Sequence, residues 1–442
     1  MYAVDARERV VDLTDSSRNV LFNLTLEEAR QRVASGDPQA VAGIDGQFAL
    51  VATSGILVRM ARSISRPLRF FIAKKSEGPY LLVADRIDAI HAWLEREGLA
   101  DQFHPSYTRM IPAHHLTEVA LVGCPDPSPR HARFFDPPRG DRPADVPALG
   151  RAYITALADE LRKWFTTRAR TGPIGVEFSG GIDSGSVFLV ALHVLRELGE
   201  SPSRLKAFTL AVDGAGSDVA QARQFLDTLG LGYFLEPIEV AASAIDWRRA
   251  VRVVEDYKPL DIQAAAVGVA LGEAIRQRYP EWKYLLDGDG GDENLKDYPI
   301  EENPELTIRS VLHNSMLYQE GWGVGAIKHS QTYSGGLSRG YVRTYAPASQ
   351  AGFEVFSPYT QPSLITIAEG IPFIELTQYD HERLYRLKGE LVASGVEAVT
   401  GYRMPIFEKC RFQRGALEEG QFSRLFPARE TDYRRAFHGL YE

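Results

Sequence analysis

Two short stretches of the chain carry residue types that can act on a phosphate. The first is Ser179-Gly-Gly-Ile-Asp-Ser184. Its glycines let backbone N–H groups approach an anion closely. Its two serine hydroxyls add donors, and Asp183 can hold a cation. The second is Asp287-Gly-Asp-Gly-Gly-Asp-Glu293. Carboxylates this crowded repel one another unless a cation or a basic group sits between them. Neither string fits the commoner motifs. The first lacks the Gly-Lys-Ser/Thr ending of a Walker loop, and the second lacks the alternating ligands and closing Glu of an EF-hand. The plain alternatives are a glycine turn leaving a buried strand and an acidic solvated loop. The strand–turn–helix context of the first string, and both strings occurring in one chain, favour phosphate chemistry.

The elements that must position these stretches are legible from hydrophobic periodicity. An apolar strand over 174–178 runs into the first string, and a helical pattern over 184–198 leaves it. That arrangement points the unpaired N–H groups and dipole of a helix start at the turn. Strand 205–212 then leads to helix 217–229. Strand 232–240 leads to helical regions near 243–256 and 264–278, and the run 283–287 ends in the second string. Apolar strands alternating with helices predict an α/β domain, a parallel sheet with helices on both faces and ligands at the carboxyl ends of the strands. Ahead of it, apolar runs at 47–52, 56–60, 68–72 and 80–84, separated by turn residues, predict antiparallel sheet. Amphipathic helices over 26–35 and 87–97 make this a smaller α+β domain. The proline-rich and charged stretch 123–150 reads as the linker, followed by a helix over about 146–170. The domains are therefore set at 1–140 and 145–442. Beyond Asn294 the pattern is mostly helical. It is broken by a glycine-rich stretch, 321–340, which is either a lid carrying Trp322 and Tyr333 or a set of helix ends.

Composition narrows the class. At 442 residues the chain can build two or three domains, and 44% hydrophobic with 24% charged residues is ordinary for a globular protein. A net charge of −8 argues against a nucleic-acid partner. The only cysteines, Cys124 and Cys410, are too few for a disulfide framework or a cysteine metal site, which fits a reducing cytoplasm. No basic-then-apolar leader and no run long enough to cross a bilayer is read, so no membrane association is expected. The ten histidines show no ligand spacing.

The pair Ser179-Gly-Gly-Ile-Asp-Ser184 and Gly288-Asp-Gly-Gly-Asp-Glu293 resembles the N-type ATP pyrophosphatases, and within them the synthetase domain of the asparagine synthetase B / β-lactam synthetase family. Ser217-Asp218, Asp261-Ile-Gln-Ala264, Phe353-Glu-Val-Phe-Ser-Pro-Tyr359 and Glu408-Lys-Cys-Arg-Phe-Gln-Arg-Gly415 resemble further segments of that domain, so the likeness runs from about 145 to 420. It implies an adenine nucleotide α-hydrolase-like fold that uses ATP and Mg2+. By resemblance, Asp183 and Asp292 bind Mg2+. Ser179, Gly180, Gly181 and Ser184 hold the pyrophosphate, and Leu210 and Gly288 lie near the nucleoside. A substrate carboxylate then attacks the α-phosphorus to give an acyl-adenylate, and ammonia or an amine displaces AMP. Lys409 matches the family lysine that stabilises developing charge; read alone it would be a surface cation. Asp289 stands where asparagine synthetases have Glu and β-lactam synthetases have Tyr. An acid there can hold an amine and take its proton.

The front of the chain resembles the second half of the family's glutaminase domain, through Ile44-Asp-Gly-Gln-Phe-Ala-Leu50, Arg66-Pro-Leu-Arg-Phe70 and Val83-Ala-Asp-Arg86. Glutamine hydrolysis in that family uses a cysteine directly after the initiator methionine. Position 2 is Tyr2, so a degenerate glutaminase-like domain is expected. The reading is an AMP-forming amide ligase taking a small-molecule carboxylate and ammonia or an amine, with a homodimer as a family expectation. The alternatives are a specialised cyclase or ligase, such as a β-lactam synthetase or peptide-modifying enzyme, and a catalytically dead ATP-binding regulator.

Overall fold

The computed structural model describes residues 6–122, 128–214, 217–298, 300, 306–314, 337–407 and 419–442. The chain divides into two compact units. One holds residues 6–136 with 337–338 and Phe437–Glu442, and the other holds the remaining residues from Pro137 to Ala436.

In the first unit the alternating apolar runs pair into two four-stranded sheets. One joins Ala49–Ser54, Leu57–Arg62, His115–Ala120 and Arg130–Arg133, all antiparallel. The other joins Gly78–Ala84, Arg69–Lys75 and Arg109–Met110 antiparallel, with Val10–Asp12 added parallel to Gly78–Ala84. Val58, Met60, Phe70, Leu81, Val83 and Val119 form a shared core. The expected helices are present as Leu26–Ser35, held by a Thr25/Glu28 capping box, and Ile87–Arg96. Arg62 and Arg66 are fully buried. Arg62 donates to the carbonyl of Ile111 at 2.5 Å, and Arg66 pairs with Asp85 at 2.9 Å. Burying these charges is tolerable only because each is hydrogen-bonded.

The second unit is built on a five-stranded, wholly parallel sheet. Across it the strands run Leu235–Val240, Leu205–Val212, Ile174–Glu177, Tyr284–Leu286, Glu354–Phe356. In chain order that is 3-2-1-4-5. The direction of winding reverses between the Ile174–Glu177 and Tyr284–Leu286 strands, which is where parallel sheets open a crevice at their carboxyl ends. Helices lie on both faces. On one, Phe178 packs against Phe188 and Phe225, and Trp164 stacks on Phe356 at 5.3 Å. On the other, Phe208 packs against Tyr279 and Trp282. The helix Ile182–Glu197 buries nearly every residue from Ser184 to Leu195, as a helix apolar all round must. The third strand is shorter than expected. Residues 232–234 form a 3₁₀ turn ahead of Leu235–Val240, and the region after it folds as Trp247–Val254 and Pro259–Arg278. Pro259 opens the second of these helices, where a missing N–H costs nothing.

Candidate functional site

The first glycine turn sits at the crevice. Gly181 caps the helix Ile182–Glu197 without a side-chain hydrogen bond, so the first helical N–H groups are left for a ligand. The serines hold the loop in shape. Ser184 Oγ accepts from the Ser179 N–H at 3.2 Å and contacts Ser179 Oγ at 3.2 Å, while Ser179 Oγ accepts from the Gly181 N–H at 3.3 Å. Gly180 has φ +74°, and a Cβ there would lie 2.8 Å from the backbone nitrogen of Ala222. Only glycine fits that contact with the helix Ser217–Thr228. Asp218, in the first turn of that helix, is buried and its carboxyl is pushed up to about 7 by desolvation.

The second glycine turn locks onto the first. A Cβ on Gly288 would fall 2.7 Å from the Ser184 nitrogen, and one on Gly291 would fall 2.2 Å from Asp183 Oδ1. Side chains at either position would push the turns apart. Gly291–Leu295 forms a short helix, and its Asn294 donates to Tyr153 Oη at 3.0 Å and to the Tyr359 carbonyl at 2.9 Å. Tyr359 in turn shares a 2.6 Å hydrogen bond with Ser186 of the first helix. Both turns are thus bolted to one scaffold.

This docking brings Asp183 and Asp292 to the same cation, Lys388 of the helix His381–Thr400. Its ammonium lies 2.7 Å from Asp183, pairs with Asp292, and lies 3.2 Å from Asp297. Lys388 is only 2% exposed. Burial works to lower its pKa, but the three carboxylates overcome this and hold it well above the usual lysine value. Sequence reasoning missed this residue. The signal was available: Lys388 falls on the apolar stripe of its helix, with Leu384, Leu391 and Val392, where a cation needs a partner. The two converging aspartates are a donor set suited to Mg2+, which is usually held by one or two carboxylates together with phosphate oxygens.

Asp289 lies on the second turn but belongs to a different neighbourhood. It is partly buried, accepts from the Thr344 hydroxyl, and stands near Asp287, Glu293 and Arg343. Burial and the Asp287 charge push its carboxyl well above the ordinary range. Asp287 accepts from Ser357 Oγ at 2.7 Å and from the Asp289 N–H at 3.0 Å, and burial pushes it up to about 7. Thr344 and Arg343 come from a single π-helical turn, Tyr341–Tyr345. Such irregular turns often mark functional sites. Arg343 donates twice to Asp261 Oδ1, at 3.0 and 2.9 Å.

The structure therefore gathers Ser179, Gly180, Gly181, Asp183, Ser184, Gly288 and Asp292 at one rim, with Asp289 on the adjoining side. Leu210 is buried within the Leu205–Val212 strand, paired with Ile238 two residues before the strand ends. Lys409, Trp322 and Tyr333 lie outside the described residues. Among the described residues no helix is long and apolar enough to cross a membrane.

Residues 156–348 match the family model described as asparagine synthase. The match includes both glycine turns and four of the five strands, and it supports an asparagine synthetase-like, ATP-dependent ligase. A search of curated proteins found no match.

Proposed function

We propose that the chain is an AMP-forming amide ligase with an adenine nucleotide α-hydrolase-like synthetase domain. ATP is its substrate, activating a small-molecule carboxylate for attack by ammonia or an amine. The observation that carries this is the convergence of Asp183 and Asp292 on Lys388, beside an uncapped helix start, at the point where the sheet reverses.

In this reading the N–H groups around Gly180 and Gly181, with the Ser179 and Ser184 hydroxyls, hold the departing pyrophosphate. Lys388 offsets its charge while fixing Asp183 and Asp292 in place. Those two aspartates hold Mg2+, which when bound neutralises phosphate charge. The carboxylate attacks the α-phosphorus, giving an acyl-adenylate, and the nucleophile then displaces AMP. Leu210 and Gly288 flank the nucleoside, Lys409 stabilises developing charge, and Asp289 receives the nucleophile's proton. The N-terminal unit is read as a glutaminase-like domain without hydrolytic activity, and the site of action as the cytoplasm.

The test is AMP release from ATP and MgCl2 with L-aspartate, offering ammonium chloride and glutamine in separate tubes, then with a panel of carboxylates and amines. AMP with ammonia and not with glutamine is expected, and Asp183→Ala should abolish it. AMP formation that Asp183→Ala leaves intact would refute the assignment of this site.

A further inference from the structure

The rim holds a second set of carboxylates. The sheet pairs Val176 with Leu286 and Leu286 with Phe356. The next residue on each strand is Glu177, Asp287 and Ser357. Side chains alternate across a strand, so these three stand in a row on the face opposite Phe356 and Trp164. Asp287 is bound by Ser357 and by the Asp289 N–H. Glu177 is 9% exposed, and its buried Oε1 has no hydrogen-bond partner. The groups acting on it are two more acids, Asp287 and Asp289. Arg343 stands near Asp289 but spends its bonds on Asp261.

An unpartnered buried carboxyl beside two others is costly in its ionised form, so it either holds a proton or receives a cation. Among the described residues no three His, Cys, Asp or Glu side chains converge closely enough for a metal ion. A primary ammonium suits the spacing better, because its three N–H donors reach acceptors set apart from one another. The location is apt as well, since Asp287 and Asp289 belong to the turn that touches Asp183 and Ser184.

We propose that Glu177 is a catalytic residue of the amine subsite: with Asp287 and Asp289 it receives the nucleophile as a protonated primary amine. This rests on the ligase reading and specifies its nucleophile. Turning an alkylammonium into an amide requires shedding two protons. One goes to Glu177, freeing the nitrogen lone pair. The pair forms the C–N bond to the acyl carbon, the bond from that carbon to the phosphate oxygen breaks, and AMP leaves with its electrons. The second nitrogen proton goes to Asp289.

The experiment is thermal unfolding of the full chain in ammonium, methylammonium, tetramethylammonium and sodium chlorides at equal ionic strength. Ammonium and methylammonium should raise Tm by about 1.5–2 °C per tenfold increase above their dissociation constants. Tetramethylammonium, which has no N–H, should match sodium. Glu177→Gln should abolish the difference. Equal behaviour of all four salts, or a difference that survives in Glu177→Gln, overturns the proposal. If that variant fails to fold, the wild type decides through pH. Asp287, Asp289 and Glu293 are the acids that face Glu177 or Asp289, and the Asp261, Glu293 and Asp289 charges keep Arg343 protonated throughout. The ammonium effect should weaken as pH falls from about 8 to about 5, through the value of about 7 to which burial pushes Asp287. A pH-independent effect overturns the proposal. Stabilisation by ATP with MgCl2, read in the same assay, reports separately on the ligase reading. Its absence alongside an ammonium effect would sink that reading alone.

Discussion

Two groups of carboxylates share one sheet rim and are treated in opposite ways. Asp183, Asp292 and Asp297 surround a buried ammonium, Lys388, that belongs to the chain. Glu177, Asp287 and Asp289 are neighboured by serine and threonine hydroxyls and by each other, and their carboxyls are pushed upward by burial. The first group is held in place by a cation of the chain itself and is expected to be rigid. The second is left for something that arrives. Fixed charge suits holding a phosphate, whereas a carboxyl near neutrality suits taking a proton.

This contrast can be broken at several points. The largest expected effect is on turnover. Asp289→Asn should lower amide formation by about 10²–10⁴-fold while leaving Tm unchanged or higher, because it removes one of several repelling buried acids. A variant that lost stability in parallel with activity would show that Asp289 is a structural acid like those around Lys388. Next, Lys388→Met strands three aspartates around a missing cation. It should cost about 3–5 kcal/mol in denaturant unfolding. A cost below ~1 kcal/mol would mean that solvent already screens the cluster.

Gly180→Ala sharpens the picture of the turn itself. With φ +74° and the Ala222 nitrogen 2.8 Å from the new Cβ, it should cost about 1–3 kcal/mol and weaken ATP binding together with stability. Retained ATP affinity, measured by titration, would show that the loop accommodates the methyl group.

A further effect concerns pH. Burial, with the nearby Asp261 charge, pushes Asp256 up to about 8. The folded state therefore keeps a proton that the unfolded chain loses above about pH 4. With more protons bound in the folded state, stability contributed by this group falls as pH rises from about 4 to about 8, then levels off. Asp256→Asn keeps an acceptor for the Tyr257 and Lys258 N–H groups and removes the titration. It should raise Tm near pH 8 and change it little near pH 5. A constant difference across that range would rule out the titration.

The alternation of apolar strands with helical patterns made the second unit legible, because parallel strands buried on both faces are nearly continuous apolar runs. The glycine strings were legible too, since few other residues permit the close approaches seen at Gly180, Gly288 and Gly291. The start of Leu235–Val240 was misjudged, because the apolar residues of a 3₁₀ turn look like strand over so short a stretch.

The sequence by itself determined the two turns, their places at strand ends and the residue types they present. Those features depend on local backbone freedom and on periodicity, both written in consecutive residues. Lys388 is remote in sequence from both turns, and only the packing of its helix shows that one ammonium meets Asp183 and Asp292. Glu177 likewise reads as an odd polar residue in a strand. Only parallel register places it beside Asp287 and within reach of Asp289. Charge balance at a site depends on distance through space, and tertiary structure sets that distance.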